Sequence, residues 1–145
     1  MKKMLLMFTL LLTLSFAETE FATPKPSMDH PRKVIFPITT WNKDEVNHVL
    51  GSANNIIKFY GVDNIELVIV AYSQGIKTLL KDKDKKIRTR VESLMNYDVE
   101  FIACGNTMRT LKIDKKELLD GVEIVTAGIV ELIERQLRGY TYIRP

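Results

Sequence analysis

The run IELVIVAY at residues 65–72, followed directly by SQG at residues 73–75, decides the fold of this chain. β-Branched and aliphatic residues fill the run almost without a polar break, which is typical of a strand covered on both faces. Such strands occur mainly in parallel sheets, because the helices that connect parallel strands also cover the sheet. The polar residues and glycine at 73–75 predict that the strand ends there.

Shorter apolar runs lie on both sides of this central strand. We predict further strands at residues 34–38, 98–103 and 122–125, and a fifth in the tail at residues 140–143. Segments with helical spacing of apolar residues separate the strands, and parallel pairing requires connections of that length. The sequence therefore predicts an α/β domain of three layers, with a mostly parallel four- to five-stranded sheet, helices on both faces and a flavodoxin-like appearance. Pro37 cannot donate to a ladder, so we expect it near a strand end or a sheet edge.

The first and last helices have the clearest patterns. Asn42 is a good N-cap with Glu45 in the capping-box position, and Gly61 ends the apolar periodicity of the first helix. The last helix is predicted from about residue 127 to 137, and we expect its apolar stripe to face inward, against the sheet. The members of that stripe are Ile129, Val130, Ile133 and Leu137.

The N-terminus has the pattern of an export signal. Lys2 and Lys3 precede an uncharged apolar run of about thirteen residues, and Ser15 and Ala17 are small residues at the −3 and −1 positions of a cleavage site. The run is too short to span a bilayer. We therefore expect residues 1–17 to be a signal peptide that is removed on export, which leaves a periplasmic protein with no membrane anchor.

The remaining 128 of the 145 residues fit one domain preceded by a short arm. Residues 18–32 contain three prolines and no apolar periodicity, so they are predicted to form an irregular N-terminal arm, and residues 33–145 to form the α/β domain. The formal net charge of +3 falls close to neutral once the two signal-peptide lysines are removed. A nearly neutral domain lacks the basic surface that nucleic-acid binding requires, so no nucleic-acid partner is expected.

Ligand sites in open parallel sheets form at the carboxyl ends of the strands, where loops lead into helices. That rule selects a small group of residues after each of the first four predicted strands. The candidates are Thr40 and Trp41 after the first strand, Tyr72 and Ser73 after the second, Cys104, Gly105, Asn106, Thr107 and Arg109 after the third, and Thr126 and Gly128 after the fourth.

Cys104 is the single cysteine of the chain and the candidate with the most chemistry. If it lies between a strand and the first turn of a helix, the N–H groups of residues 106–108 point toward its sulfur and favour the nucleophilic thiolate. Gly105 lets the backbone turn sharply there, and Arg109 is close enough in sequence to add positive charge. The alternative for the same position is a small, buried, structural cysteine.

The sequence contains no motif for a cofactor or a metal. There is no glycine-rich phosphate loop and no Cys-x-x-Cys pair, so nucleotide binding and dithiol exchange lack their usual residues. The two histidines, His30 and His48, have no second ligand at metal-binding spacing, and His48 is predicted to lie on the surface of the first helix. We expect neither a cofactor nor a metal.

Three segments carry a pattern that extends over nearly the whole predicted domain. They are KVIFPI at residues 33–38 with Trp41 after it, FIACGNTMRTLKI at residues 101–113, and VEIVTAGIVELIERQLRGYTYIRP at residues 122–145. Together they resemble the DsrE/DsrF-like family of small α/β proteins. The resemblance implies that Cys104 accepts a persulfide and hands it on, as in cytoplasmic sulfur relays, between a donor and an acceptor protein. It also implies assembly into trimers or hexamers.

Two functions from different classes follow. The first is a sulfur-handling protein in which Cys104 is the persulfide carrier, more a carrier than a turnover enzyme. The second is a non-catalytic, oligomeric periplasmic binding module for a small anion or a thiol ligand, in which Cys104 is structural. An accessible and acidic thiol favours the first, and a buried, slowly reacting thiol favours the second.

Overall fold

The predicted apolar runs pair into one five-stranded sheet in which every pairing is parallel. The strand order is β4-β3-β2-β1-β5, so the run that begins at Ile65 is the central strand, as its uninterrupted apolar sequence predicts. The α/β fold class predicted from the sequence is therefore confirmed. The strands are β1 Arg32–Ile38, β2 Ile65–Ala71, β3 Glu100–Cys104, β4 Glu123–Val125 and β5 Thr141–Tyr142.

The structure, a computed structural model, describes residues 18–145, and the predicted signal peptide at residues 1–17 lies outside the described residues. Within the described part of the chain, no helix is both long enough and apolar enough to cross a membrane.

Pro37 lies inside β1, and the sheet tolerates it because of the short partner strand. β5 pairs with β1 only at Val34 and Ile35. The carbonyl of Ile35 points toward β5, since it accepts a hydrogen bond from the N–H of Ile143 at 3.0 Å. Two residues further on, the nitrogen of Pro37 faces the same side, beyond the end of β5, so no ladder bond is lost. The expected placement of Pro37 toward a sheet edge agrees with this pairing.

The helices lie between the strands, where the sequence predicts them. Asn42 caps the first helix by accepting from the N–H groups of Asp44 and Glu45, and Gly61 follows its last residue. A 3₁₀ segment, Ser73–Leu79, follows β2, whose end the polar residues and glycine at 73–75 predict. The α-helices are α1 Lys43–Tyr60, α2 Lys85–Met95, α3 Gly105–Leu111 and α4 Gly128–Leu137.

The sheet separates two apolar clusters of unequal size. The larger cluster lies between the sheet and helices α1, α2 and α3, and it includes Leu50, Val91 and Met108 from those three helices. The smaller cluster lies on the other face, where α4 contributes Leu132 against Ile35, Val68, Val70 and Ile102. One helix therefore covers the second face of the sheet.

The orientation of α4 differs from the prediction. Gly128 and Leu132, one turn apart, are its fully buried residues, and they face the sheet. The stripe predicted to face inward lies on the opposite side of the helix. The Gly128 side faces the sheet because glycine has no side chain and lets the helix backbone approach the strands most closely. The exposed fractions are 52% for Ile129, 53% for Val130, 50% for Ile133 and 77% for Leu137.

A half-buried polar network holds the second half of α4 on the sheet. Arg135 donates to Glu131 at 2.6 Å, to the Tyr140 hydroxyl at 3.2 Å, and to Glu100 at the start of β3. The Tyr140 hydroxyl donates in turn to Glu66 on β2 at 2.7 Å. Burial lowers the pKa of Arg135, but the bonds to Glu131 and Glu100 outweigh it and raise that pKa. The network fixes α4 across the strands.

The N-terminal arm is irregular and packs against α1. The Phe21 ring lies 5.6 Å from the ring of Phe59 and 5.9 Å from that of Tyr60, measured between centroids. The Arg32 guanidinium donates to the Ala22 carbonyl at 2.7 Å. These contacts hold the arm to the domain at residues 21 and 22.

Candidate functional site

Cys104 is the last residue of β3, and α3 begins with the next residue. Side chains alternate along a strand, so the Cys104 side chain lies on the same face as that of Ile102, under the N-terminus of α4. The carboxyl ends of β2 and β3 are neighbours in the sheet, which brings Tyr72 and Ser73 to the same edge. The strand-end rule therefore brings these residues to the edge of the sheet where Cys104 lies.

The starts of α3 and α4 both lie next to the Cys104 sulfur. The N–H of Gly128 donates to Sγ at 3.2 Å. Burial raises the pKa of the Cys104 thiol, but hydrogen bonding from Thr107 and Gly128 outweighs burial, and the pKa lies below its usual value. The site favours the thiolate.

The donors differ in part from those predicted. The N–H of Asn106, one of the predicted donors, donates to the Thr126 carbonyl at 3.0 Å, while the N–H of Gly128 donates to the sulfur. Gly128 was a candidate because it follows a strand, but its role as a donor to Cys104 depends on how α4 crosses β3. Only the tertiary arrangement brings a residue 24 positions away within 3.2 Å of the sulfur.

The Cys104 side chain is buried, with 6% of its surface exposed. An accessible sulfur was the expectation for a carrier. The structure instead shows a covered thiol whose pKa lies below its usual value. Gly128 covers it closely: a Cβ added there would lie 3.2 Å from Cβ of Cys104 and 3.2 Å from Cγ1 of Val70. Glycine is thus the residue that lets a backbone N–H reach the sulfur from this side.

Gly105 meets a similar constraint on the other side of Cys104. A Cβ added at Gly105 would lie 2.9 Å from the carbonyl oxygen of Val125 at the end of β4. The next N–H, that of Asn106, donates to the Thr126 carbonyl at 3.0 Å. Thr126 therefore contributes its backbone to the site and leaves its side chain exposed. These contacts hold the β3–α3 turn against the end of β4.

A cavity of about 360 Å³ opens beside the turn, on the α3 side of the sheet edge. None of the residues that line it is charged, and they include Tyr72, Ser73, Gln74 and Thr107. Gln74 follows Ser73 after β2, so the strand-end rule that selects Ser73 also selects Gln74.

Arg109 and Tyr72 interact with residues other than Cys104. The Arg109 guanidinium donates to the side-chain oxygen of Asn106, so it orients that amide instead of bonding to the sulfur. Burial raises the pKa of Tyr72, Tyr142 raises it further and Arg144 opposes the shift. The C-terminal tail therefore reaches this edge, which places the unpredicted Arg144 near the site.

Two of the predicted residues lie apart from the sulfur. The Thr40 hydroxyl accepts from the N–H of Asn42 at 3.0 Å and belongs to the entry of α1. Trp41 packs against the larger apolar cluster. Both serve the start of α1. The exposed His48 agrees with the prediction for that residue. Within residues 18–145, no cluster of three or more His, Cys, Asp or Glu side chains is arranged to hold a metal ion.

These features define a class: a small, all-parallel α/β protein with a thiolate-favouring cysteine at a strand end. The model of the DsrE/DsrF-like family matches residues 42–145. The chain belongs to the DsrE/DsrF-like family. No curated protein matches the chain.

Solved structures show the same fold. MTH1491, a protein of unknown function from Methanobacterium thermoautotrophicum, is 31% identical, with a TM-score of 0.73 over 79% of this chain and 99% of that one. The ychN protein from E. coli is 20% identical, with a TM-score of 0.67 over 79% of this chain and 99% of its own. A protein of unknown function from Bacteroides thetaiotaomicron, BT1422, is 16% identical and has a TM-score of 0.58 over 78% and 94% of the two chains.

Proposed function

We propose that the protein carries sulfur as a persulfide on Cys104, between a donor and an acceptor. The observation that supports this most directly is the set of donors around the sulfur, with the N–H of Gly128 at 3.2 Å. Neutral donors lower the pKa of the thiol even though it is buried. A thiolate is the form of cysteine that attacks sulfur.

The transfer is a thiolate exchange that needs no outside oxidant. The Cys104 thiolate attacks the outer sulfur of a donor persulfide, R–S–SH, and the donor S–S bond breaks. The donor leaves as R–S⁻, and Cys104 becomes Cys–S–SH, so charge and protons balance. In the second half, an acceptor thiolate attacks the outer sulfur and Cys104 leaves as a thiolate. Donors that stabilise the anion at Cys104 raise the fraction of thiolate available for the first half and assist its departure as the leaving group in the second.

The burial of Cys104 sets a condition on this function. A sulfur with 6% of its residue exposed must be uncovered before a protein donor reaches it. Small donors such as polysulfide need a smaller opening than a protein does. The proposal therefore predicts that small donors load Cys104 faster than protein persulfides when both have equal intrinsic reactivity.

Mass spectrometry tests the proposal. Residues 18–145 are incubated with polysulfide, and we expect a gain of one sulfur atom on Cys104 that reduction removes. A peptide of residues 100–110 is the matched control, because it holds the same cysteine without the fold. The folded chain is expected to load faster than the peptide near neutral pH. Equal or slower loading by the folded chain, or no transfer to an acceptor thiol, contradicts the proposal.

The second candidate is the non-catalytic binding module with a structural Cys104, and the burial of the thiol favours it. This candidate predicts that Cys104→Ser keeps the function of the protein and that the thiol resists both alkylation and sulfur loading. The mass-spectrometric experiment separates the two candidates, since a structural cysteine stays unloaded.

We also propose that the chain self-associates through the exposed stripe of α4. Ile129, Ile133 and Leu137 recur every four residues along the length of the helix, and Val130 lies beside them. Each is at least half exposed, whereas soluble monomers rarely leave such a continuous apolar surface uncovered. The stripe contains no charged residue, so two copies related by a two-fold axis match each other. A second copy of this chain is therefore its proposed occupant.

Light scattering tests the self-association. Ile133→Glu places a charge in the middle of the stripe and is expected to lower the molar mass toward that of a monomer. Tyr97→Glu is the matched control, because Tyr97 is 52% exposed and lies after α2, away from α4. A wild-type chain that is monomeric, or an Ile133→Glu chain with unchanged mass, contradicts the proposal.

Export to the periplasm through residues 1–17 completes the proposed setting. Its support is the signal-peptide pattern of the sequence. Cell fractionation with N-terminal sequencing tests it: the expected mature chain begins at Glu18, and an uncleaved chain retained in the cytosol contradicts it.

A further inference from the structure

The first turn of α4 covers Cys104. The cysteine has 6% of its surface exposed, and its side chain lies on the face of the sheet that α4 crosses. The N–H of Gly128 is 3.2 Å from Sγ, and a Cβ added at Gly128 would lie 3.2 Å from Cβ of Cys104. The sulfur is therefore reached most directly when this turn moves away from the sheet.

The start of α4 is held more weakly than the starts of α1 and α2. Those two helices begin after Asn42 and Asp84, and each of these side chains accepts from two N–H groups of the first turn. The N-cap residue of α4 is Ala127, whose methyl group cannot accept a hydrogen bond. The first helical residue is Gly128, and glycine disfavours the helical conformation. Local preferences therefore favour fraying at this end of α4.

The rest of α4 is held firmly. Leu132 is buried against the strands in the middle of the helix. Beyond it, Arg135 donates to Glu131 at 2.6 Å and to Glu100 on β3. The N–H of Tyr140 donates to the Arg135 carbonyl at 3.0 Å and closes the end of the helix. The contacts that fix α4 thus begin at residue 131, and the turn over the sulfur precedes them.

We propose that residues 127–130, the first turn of α4, form a gate that uncovers Cys104 by local unfolding while the rest of the fold stays intact. Local openings require less free energy than global unfolding, so a covered thiol reacts in the folded protein. The inference deepens the proposed carrier function and rests on it for its biological meaning. Sulfur is exchanged while the gate is open, and the thiolate regains the N–H of Gly128 when the gate closes.

The first test is the rate at which iodoacetamide alkylates Cys104 in the wild-type chain as urea increases. The rate is measured at a pH where it no longer rises, so that the thiol is ionised. A local gate predicts a rate that stays nearly constant until the unfolding transition begins. A rate that climbs with urea as steeply as the unfolding equilibrium overturns the gate. A rate equal to that of the peptide of residues 100–110 also overturns it, because the thiol is then uncovered.

The second test strengthens the gate. Ala127→Ser supplies the missing cap and is expected to slow alkylation by about fivefold, and Ala127→Asn is expected to do the same. Gly51→Ala is the matched control, because it stabilises α1, which packs on the other face of the sheet. It is expected to leave the rate unchanged. Equal slowing by the cap and by Gly51→Ala overturns the gate, because exposure of the sulfur then requires global unfolding.

Two comparisons separate the gate from the other proposals. The Ala127→Ser experiment is repeated in the Ile133→Glu background, which places a charge in the outer stripe, and the same slowing is expected there. A slowing that disappears in this background assigns the cover to a second copy and overturns the gate. Alkylation uses no sulfur donor, so a closed gate is distinguishable from a failure of Cys104 to carry sulfur.

Discussion

Gly128→Ala perturbs the contact between α4 and Cys104 with the smallest possible change. The new Cβ would lie 3.2 Å from Cβ of Cys104 and 3.2 Å from Cγ1 of Val70. Both distances are shorter than the roughly 3.5–4.0 Å at which two carbon atoms attract each other most strongly. Crowding of a packed interior costs about 1–3 kcal/mol. Alanine in a helix returns about 0.5–1 kcal/mol relative to glycine. We therefore expect a net loss of about 0–2.5 kcal/mol in the free energy of unfolding.

Gly128→Ala is also expected to change the pKa of the Cys104 thiol. Relief of the two close contacts moves the start of α4 away from the sulfur and lengthens the 3.2 Å bond from the N–H of residue 128. Hydrogen bonds to charged groups contribute about 1.5–3 kcal/mol, so a partial loss of about 1 kcal/mol raises the pKa of Cys104 by about 0.7 unit. Urea unfolding measures the stability, and thiolate absorbance against pH measures the pKa.

Gly51→Ala is the matched control for this experiment. Gly51 is in the middle of α1, and a Cβ there meets only the flexible end of the Arg90 side chain at 3.6 Å. It is expected to stabilise the protein by about 0.5–1 kcal/mol and to leave the thiol titration unchanged. If Gly128→Ala behaves in the same way as Gly51→Ala, the argument that α4 controls the Cys104 thiolate is refuted.

Two further predictions concern packing and pH. Gly75→Ala would place a Cβ 2.1 Å from the Ile38 carbonyl oxygen, so we expect a loss of about 3 kcal/mol or more in urea unfolding; a variant of wild-type stability contradicts the observed contact. Because the folded-state pKa of Cys104 is lowered, its thiolate bonds are lost as pH falls through that value and fully present above the unfolded value of about 8.5. The stability of the wild type relative to Cys104→Ser is therefore expected to rise with pH up to about 8.5 and then to level off; a difference that is independent of pH contradicts this.

The secondary structure was predictable because its signals are local. The apolar run at Ile65 could only be a buried strand, and Asn42 and Gly61 mark the ends of α1 by hydrogen-bonding and backbone preferences that act within a few residues. Parallel pairing then follows from the length of the connections. The position of Cys104 between β3 and α3 follows from the same signals.

The direction in which α4 faces was not predictable from periodicity. Its stripe of Ile129, Ile133 and Leu137 indicates that one side of the helix is to be covered, but the pattern does not say by what. The sheet instead receives the side with Gly128 and Leu132, where a missing side chain permits close approach, and Arg135 binds to Glu100 at the far end.

The sequence by itself determined the parallel α/β architecture, the strand-end position of the single cysteine and the polar residues around it, because local preferences and connection lengths control those features. Tertiary structure alone decided which groups reach the sulfur. Gly128 is 24 residues from Cys104 in the sequence, so its N–H reaches the sulfur only because of how α4 crosses the end of β3. Packing also decided that the thiol is covered, because the side chain that is absent from Gly128 allows the helix to lie directly over it.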